Sequence, residues 1–551
     1  MSTWDPSLTQ RIPVELPVWR RYSAAPKIPG FNNITSLTPI IKDFLPNVEG
    51  EGQLASDNLF ARTSAFEGSG ECVVETVGKK KKKAFCKVTH ILDPIRSMQA
   101  FYEHPEKGVA RQDAKLKNPM NKAYVDALGN YLVGQLRERN LSPHFCFFYG
   151  GFQGIAEKYR FCITDEYESY RKYKAFWVKS KKGLFKVYCD DTTVSSAGTS
   201  VRSSRFSYST PKSVKSEETD LEVEEVEGTP VELQSVTWMD GTDEMEGMPE
   251  LESASESESE EEEEDEDEET EEEEEEEEDI TAEFNDYPTM LIFQEHMEGV
   301  LDDLLEDEEE QEDQGSEAWE DRWSAWLFQI IAALCAAQGV LGFTHNDLHT
   351  NNIVWTKTDQ SWLFYKNRAG EVWRIPTFGR IFRIIDFGRA VYRVGEKWFI
   401  SDDYEQGGDA EGQYNFPAMQ TMKEMKEKVY PNPSFDLCRL SVSIIEALFP
   451  EMPTEKFDGP LLSKEDEWEI HVTQSPLWNL LWSWLIDNNG RNVLKDEDGM
   501  ERFPDFDLYI HISKNVSSAK PQEQIGKDVF AKWRINAATI GDWETVYPLF
   551  C

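Results

Sequence analysis

The chain has 551 residues, 39% of them hydrophobic and 12% aromatic, enough to bury a large core. Its formal charge is −47, but the window from Glu217 to Asp321 alone holds 51 of the 104 acids and no Lys or Arg; outside it 53 acids face 57 bases. The acidity is local, which excludes both a uniformly acidic surface and a uniformly basic nucleic-acid binder.

Residues 1–60 are rich in proline (Pro6, Pro13, Pro17, Pro26, Pro29, Pro39, Pro46) and show no apolar leader, so they read as an extended arm. Strand-like alternation follows at Cys72–Val77 and Ala84–Val88, on either side of Gly78 and five lysines at 79–83. That lysine run reads as a solvated turn, with an import or anion-binding patch as the alternative. Tyr124, Ala127, Leu128, Tyr131, Leu132 and Leu136 recur at helical spacing and predict a helix over 121–138, closed by Ser142-Pro143. Phe145–Phe152 reads as a buried strand, and aromatic-rich strands are expected to continue to Tyr188.

Residues 191–216 are rich in Ser and Thr, and 21 of the 24 residues from Glu256 to Asp279 are acidic. Such a run repels itself and has little apolar surface to bury, so 191–283 is expected to be a disordered insertion. The serines at 253, 255, 257 and 259 are either phosphate acceptors or solvating filler. Order resumes at the apolar strand Thr289–Phe293, and the remainder is expected to be mainly helical. The 22 uncharged residues between Arg322 and His345 are long enough to span a bilayer. Ser324, Gln329, Gln338, Gly339 and Gly342 dilute them; they read as a buried core helix, and no membrane association is expected. Eight cysteines without a CxxC spacing argue against a disulfide scaffold or zinc ribbon and for reduced thiols.

The chemistry is concentrated in two segments, His345-Asn-Asp-Leu-His-Thr-Asn-Asn352 and Ile384-Ile-Asp-Phe-Gly388, each beside an apolar strand. An Asp, an Asn five residues on, and a later Asp-Phe-Gly form the layout that phosphoryl transfer requires. Asp347 would orient the attacking hydroxyl, while Asn352 and Asp386 would hold Mg²⁺ against the phosphates of ATP. One such motif is weak; the two in this order are specific.

These motifs resemble the protein-kinase superfamily. The resemblance implies an α+β, bilobal kinase-like fold: a small antiparallel lobe with one long helix over 61–300, interrupted by the 191–283 insertion, and a mainly helical lobe over 301–551. It implies that Gly68 and Gly70 belong to a phosphate-covering loop and that Lys87, inside Ala84-Phe-Cys-Lys87, meets the α- and β-phosphates. Asp126, on the predicted helix, is the candidate partner of Lys87. Gln294 would stand behind the adenine, with backbone groups of Glu295 and Met297 on its edge. Asp436 would cap a helix and tie down the loop at 345–352. Ile375–Ala390, Gly407–Asn415 and Arg502–Tyr509 are similar to divergent kinases encoded by nucleocytoplasmic large DNA viruses. That implies a serine/threonine protein kinase acting in host cytoplasm or packaged in the virion, on protein substrates that include basic ones. An additional hairpin around Lys366–Gly370 would absorb the 33 residues between Asn352 and Asp386.

The chain departs from the family pattern at three places. Asn346 stands where an Arg is usual, leaving the catalytic loop no guanidinium to pair with a phosphate on segment 389–415. No Ala-Pro-Glu closes that segment. His349 takes the position of a Lys, near the γ-phosphate, which is also the pattern of aminoglycoside- and choline-type kinases. A small-molecule kinase and a non-enzymatic scaffold recruiting basic partners through its acidic loop therefore stand as the rival readings.

Overall fold

A computed structural model describes residues 19–21, 26–190, 279–414 and 431–551, apart from 37, 49, 67, 106, 172–173, 396, 465–468, 497–498 and 542–543. The fold is mixed α+β, and its sheets are mainly antiparallel. The largest sheet contains β1 (Phe31–Thr35), β2 (Phe60–Thr63), β3 (Gly70–Thr76), β4 (Lys81–His90), β5 (Phe148–Cys162), β6 (Lys186–Asp190) and β7 (Asp279–Glu295). Its spatial order is β1-β5-β7-β4-β3-β2, with β6 also paired to β7.

Side-chain alternation gives this sheet two faces. From β4 and β7, Ala84, Cys86, Val88, Leu291 and Phe293 enter one core. Met290 and Ile292 point to the other face, and Lys87 is in register with Ile292. Against that second face packs α2 (Lys122–Glu138), preceded by α1 (Gly108–Lys117). Asn121 caps α2 by accepting from the Ala123 amide, and Tyr124, Leu128, Tyr131 and Leu132 form its buried stripe.

Several expectations are corrected here. Residues 164–181 are two helices, Thr164–Arg171 and Lys174–Lys181, rather than strands. Tyr167 and Tyr170 lie three apart and both meet Phe176, so the aromatic richness that suggested strands serves a helical face. The proline-rich arm also enters the fold: β1 extends the large sheet along β5, while Ile40 and Ile41 are buried near α2. Of the lysine run, Lys81–Lys83 are exposed residues of β4 rather than turn. Of the expected insertion, residues 191–278, with the serines, lie outside the described residues, whereas 279–283 are no part of a disordered loop but the start of β7, held by pairing with β6. The two ends of 191–278 are fixed, because Asp190 pairs with Asp279 at the last rung of the β6–β7 ladder.

The 25-residue helix α3 (Glu317–Leu341) is 94% buried over its most apolar window, and Trp319, Trp323 and Trp326 are fully enclosed. Each large apolar side chain removed from water contributes roughly 1.5–3 kcal/mol. Apolar residues all round α3 thus serve a protein core. Against it packs β9 (Arg380–Ile384), which pairs with β8 (Ile353–Lys357), and the same core takes in α4 (Phe435–Leu448) with α5 (Asp507–Asn515) packed on it. The additional hairpin forms: Trp362–Lys366 pairs with Val372–Pro376 through a turn at Asn367–Gly370.

His144 links the segment before β5 to β9. Its Nδ1 lies 2.9 Å from the Phe382 carbonyl, which can only accept, so Nε2 is bare and accepts from the Tyr365 hydroxyl at 2.7 Å. Burial, against the Phe382 hydrogen bond, lowers this ring's pKa to about 3. Below about pH 6.5 the unfolded chain takes up a proton that the folded chain refuses. Stability is therefore expected to fall by about 1.4 kcal/mol per pH unit as pH drops from 6.5 towards 3. Urea midpoints of His144→Gln should decline less steeply between pH 6 and pH 4.

Candidate active site

The β8–β9 ladder sets Ile353 opposite Ile384, and the Ile385 amide bonds the Asn352 carbonyl at 3.0 Å. That register brings Asn352 and Asp386 side by side from positions 34 apart in the chain. Asp386 adopts a left-handed backbone, φ 63°, which Asp tolerates better than most residues. Its Oδ1 lies 2.7 Å from Lys87 Nζ, which is also 2.7 Å from Asp126 Oδ2. Burial disfavours both charges, but the opposed ions win: Lys87 is held well above its ordinary pKa and Asp386 well below its own. Asp126 is fully buried and satisfied, accepting from Lys87, from Asn130 at 2.9 Å and from the Phe387 amide at 2.9 Å.

Phe387 rests on α2 at Gly129, where a Cβ would stand 2.9 Å from Phe387 Cβ and 3.3 Å from the Tyr392 ring. Gly129→Ala in an ordinary helix interior would gain up to about 1 kcal/mol. Here the sign is expected to reverse, with a loss of roughly 1–3 kcal/mol from overpacking, measurable by chemical denaturation.

The loop at 345–352 is held from α4. Asp436 accepts the His345 amide on both oxygens, at 3.0 and 2.9 Å, and the Asn346 amide at 2.9 Å. His345 Nε2 bonds the Ile385 carbonyl at 2.8 Å, tying the loop to the segment that carries Asp386. Asn352 Nδ2 donates to the Asp347 carbonyl at 2.8 Å and lies 3.0 Å from His349 Nε2. Both amide hydrogens are thereby committed, and the side-chain oxygen is left as the free acceptor. Burial lowers the His349 pKa below its usual value, more than Asp347 raises it, so this ring is neutral at pH 7.

Two residues at Asp347 escaped the sequence reading. Arg389 Nη1 is 3.5 Å from Asp347 Oδ2, and the Tyr509 hydroxyl donates to Asp347 Oδ1 at 3.0 Å. Burial raises the Asp347 pKa, but Arg389 and the nearby His and Arg groups bring it below the ordinary value. Arg389 directly follows Asp-Phe-Gly, so its position was in view; Tyr509 comes from 162 residues away with no spacing to mark it.

Gly68 lies in the loop between β2 and β3, whereas Gly70 is the first residue of β3, paired with Cys86 of β4. Gly68 has φ 51° and open space where a Cβ would stand. Ser69 Oγ accepts from the Val88 amide at 2.8 Å, fastening this loop beside Lys87. Gln294 and Glu295 end β7, and the Glu295 amide is taken by the Phe147 carbonyl at 2.9 Å. Met297 Sδ accepts from Arg383 at 3.1 Å, and Met297 packs with Cys146, Val300, Val354 and Ile385 in a small apolar cluster.

Beyond the site, carboxylates of residues 402–409 clasp the start of α2. Asp402 accepts from Lys115 at 2.6 Å and from the Lys122 amide at 3.0 Å. Lys122 Nζ reaches Asp403 at 2.6 Å, and Arg389 approaches the same Asp403 at 3.7 Å. Asn346 is buried and accepts from the Tyr414 hydroxyl at 2.9 Å. Basic groups do serve this segment, but they come from α1, α2 and residue 389 instead of the loop at 345–352.

Among the described residues no three His, Cys, Asp or Glu side chains converge on a point that could hold a metal. A Mg²⁺ site needs no such cluster: one carboxylate and one amide oxygen, completed by phosphates and waters, is a suitable hard-oxygen set. The uncommitted oxygen of Asn352, next to the Asp386 carboxylate, fits that description. No protein-family model and no curated protein matches the chain.

Proposed function

We propose that this chain is a bilobal, ATP- and Mg²⁺-dependent phosphotransferase that transfers the γ-phosphate to serine or threonine hydroxyls of proteins. The observation that carries the reading is Lys87, held charged between Asp126 on α2 and Asp386 after β9, with Asn352 beside Asp386. The large sheet with α1 and α2 would be the small lobe, and the elements around α3 the large one. ATP would lie between them, its adenine against the backbone of residues 295–297 and its phosphates under Gly68 and Gly70. Asn352 and Asp386 would hold Mg²⁺, which when bound neutralises phosphate charge. Lys87 positions the α- and β-phosphates, and Asp347 orients the acceptor hydroxyl and receives its proton. His349, being neutral, fixes the Asn352 amide; Arg389 supplies the positive charge beside Asp347 that a catalytic-loop lysine supplies elsewhere.

The test is purified protein with γ-labelled ATP, offered basic proteins and a panel of hydroxyl metabolites in parallel. Label on protein serine or threonine is expected. Label on metabolites and on no protein, the chain itself included, would move the assignment to a small-molecule kinase. ATP binding without any transfer would leave the scaffold reading.

The carboxylate clasp leads to a further expectation. Lys115, Lys122 and Arg389 already have anionic partners, so phosphate on the segment after Asp386 has no cluster left to organise. Phosphatase-treated enzyme should keep its full rate. A silenced enzyme with a phosphosite mapped between residues 389 and 414 would contradict this.

A further inference from the structure

The segment Arg502-Phe-Pro-Asp-Phe-Asp-Leu-Tyr509 stands out in the sequence, and the proposed chemistry gives it no part. In the structure it leads into α5 and carries Tyr509 to Asp347. From α4, Arg439 Nε donates to the same hydroxyl at 2.8 Å. A guanidinium has no acceptor, so the direction of both bonds is fixed. Tyr509 accepts from Arg439 and must direct its own proton to Asp347 Oδ1. Phe506, stacked on the Tyr509 ring at 5.1 Å, and Phe435, at 5.7 Å, hold the ring in place.

We infer that Tyr509, backed by Arg439, is a positioning residue for Asp347: it occupies Oδ1 and leaves Oδ2, on the Arg389 side, for the acceptor hydroxyl. The inference rests on the phosphotransferase reading of the site. An Asp carboxylate on a free χ2 would offer either oxygen; one bonded at Oδ1 offers a single oxygen in a single direction. A hydrogen bond donated to the ionised form also lowers basicity. The groups facing Asp347 are His345 and His349 from its own loop, Arg389 after Asp-Phe-Gly, Arg439 from α4 and Tyr509 from α5. Tyr509 is an uncharged donor bonded to the Asp347 carboxylate, and its removal leaves every neighbouring charge in place. Burial beside Asp347 raises the phenol's own pKa, so it remains a donor across the working range.

The test compares Tyr509→Phe and Arg439→Met with the unaltered chain. Tyr509→Phe keeps the stacked ring, so unchanged thermal unfolding is expected. Its kcat should fall roughly 10- to 100-fold, the worth of a hydrogen bond to a charged group, with KM for ATP unchanged. The acid limb of the kcat profile should move to higher pH. Arg439→Met, which removes a nearby positive charge together with the backing of Tyr509, should shift the limb in the same direction. Unaltered kcat, or a loss equal at every pH with the limb in place, would overturn the inference.

A second readout does not depend on turnover: the orientation of the Asp347 carboxylate in crystal structures of the unaltered chain and of Tyr509→Phe. A carboxylate rotated about χ2 or spread over two orientations in Tyr509→Phe supports the positioning bond, and an unmoved one overturns it. If the unaltered chain transfers phosphate to no acceptor, the phosphotransferase reading fails and this comparison alone decides the role of Tyr509.

Discussion

Asp386→Ala is expected to remove phosphoryl transfer while leaving the protein folded. Asp386 is the partner of Lys87 that still meets solvent, with 41% of its side chain exposed, and its loss leaves Lys87 paired to buried Asp126. The structural cost of the deletion is therefore small, because no buried charge is stranded. The functional cost is large, since the carboxylate that would share the cation with Asn352 is gone. A fall of at least about 10³-fold in kcat is expected, with the unfolding temperature within a few degrees of the unaltered chain. Asp347→Asn should lower kcat by about 10²- to 10⁴-fold and leave ATP affinity alone, because that residue acts on the acceptor. Undiminished turnover in Asp386→Ala would remove the phosphotransferase reading altogether.

Asp436→Ala should produce the largest loss of stability. The Asp436 carboxylate accepts the buried amides of His345 and Asn346 from the first turn of α4, where a negative charge is favoured by the helix. Burial raises its pKa, and His345 and those amides draw it part of the way back. Alanine would leave two amides unpaired in a site that water does not reach, at about 1–3 kcal/mol each. A total of roughly 2–6 kcal/mol is expected in urea unfolding, with Asp436→Asn intermediate because its amide oxygen still accepts. Equal stability of the alanine variant would mean that the loop finds other acceptors.

Local pattern and tertiary approach were unequally legible. The alternation of Ala84, Cys86 and Val88 around Lys87 marked a strand with one charge on its other face, and the structure has that strand. The spacing from Tyr124 to Leu136 marked a helix, and the uncharged run before His345 a core helix; both are there. Of the residues singled out for the candidate site, Lys87, Asp126 and Asp386 meet, and Asn352 comes near them because it and Asp386 flank strands that pair with each other. The sequence was less informative at Thr164–Lys181, where aromatic residues at strand-like density turned out to share a helical face. It marked the segment that carries Tyr509 but was silent on what Tyr509 and the carboxylates at 402–409 touch. Their partners are fixed by how α5 and the segment after Asp386 pack, and contacts between residues hundreds of positions apart leave no period to read. The charge of His349 was likewise out of reach, since it depends on burial and on the Asn352 amide.

The clasp between residues 402–409 and the start of α2 has a consequence for control. A phosphate ester can be hydrolysed and put back; an aspartate side chain is permanent. Asp402 and Asp403 hold Lys115 and Lys122 from the moment the chain folds. No kinase is needed to set this contact and no phosphatase can release it. In the phosphotransferase proposed above, this contact would be set by folding itself and not by a modifying enzyme.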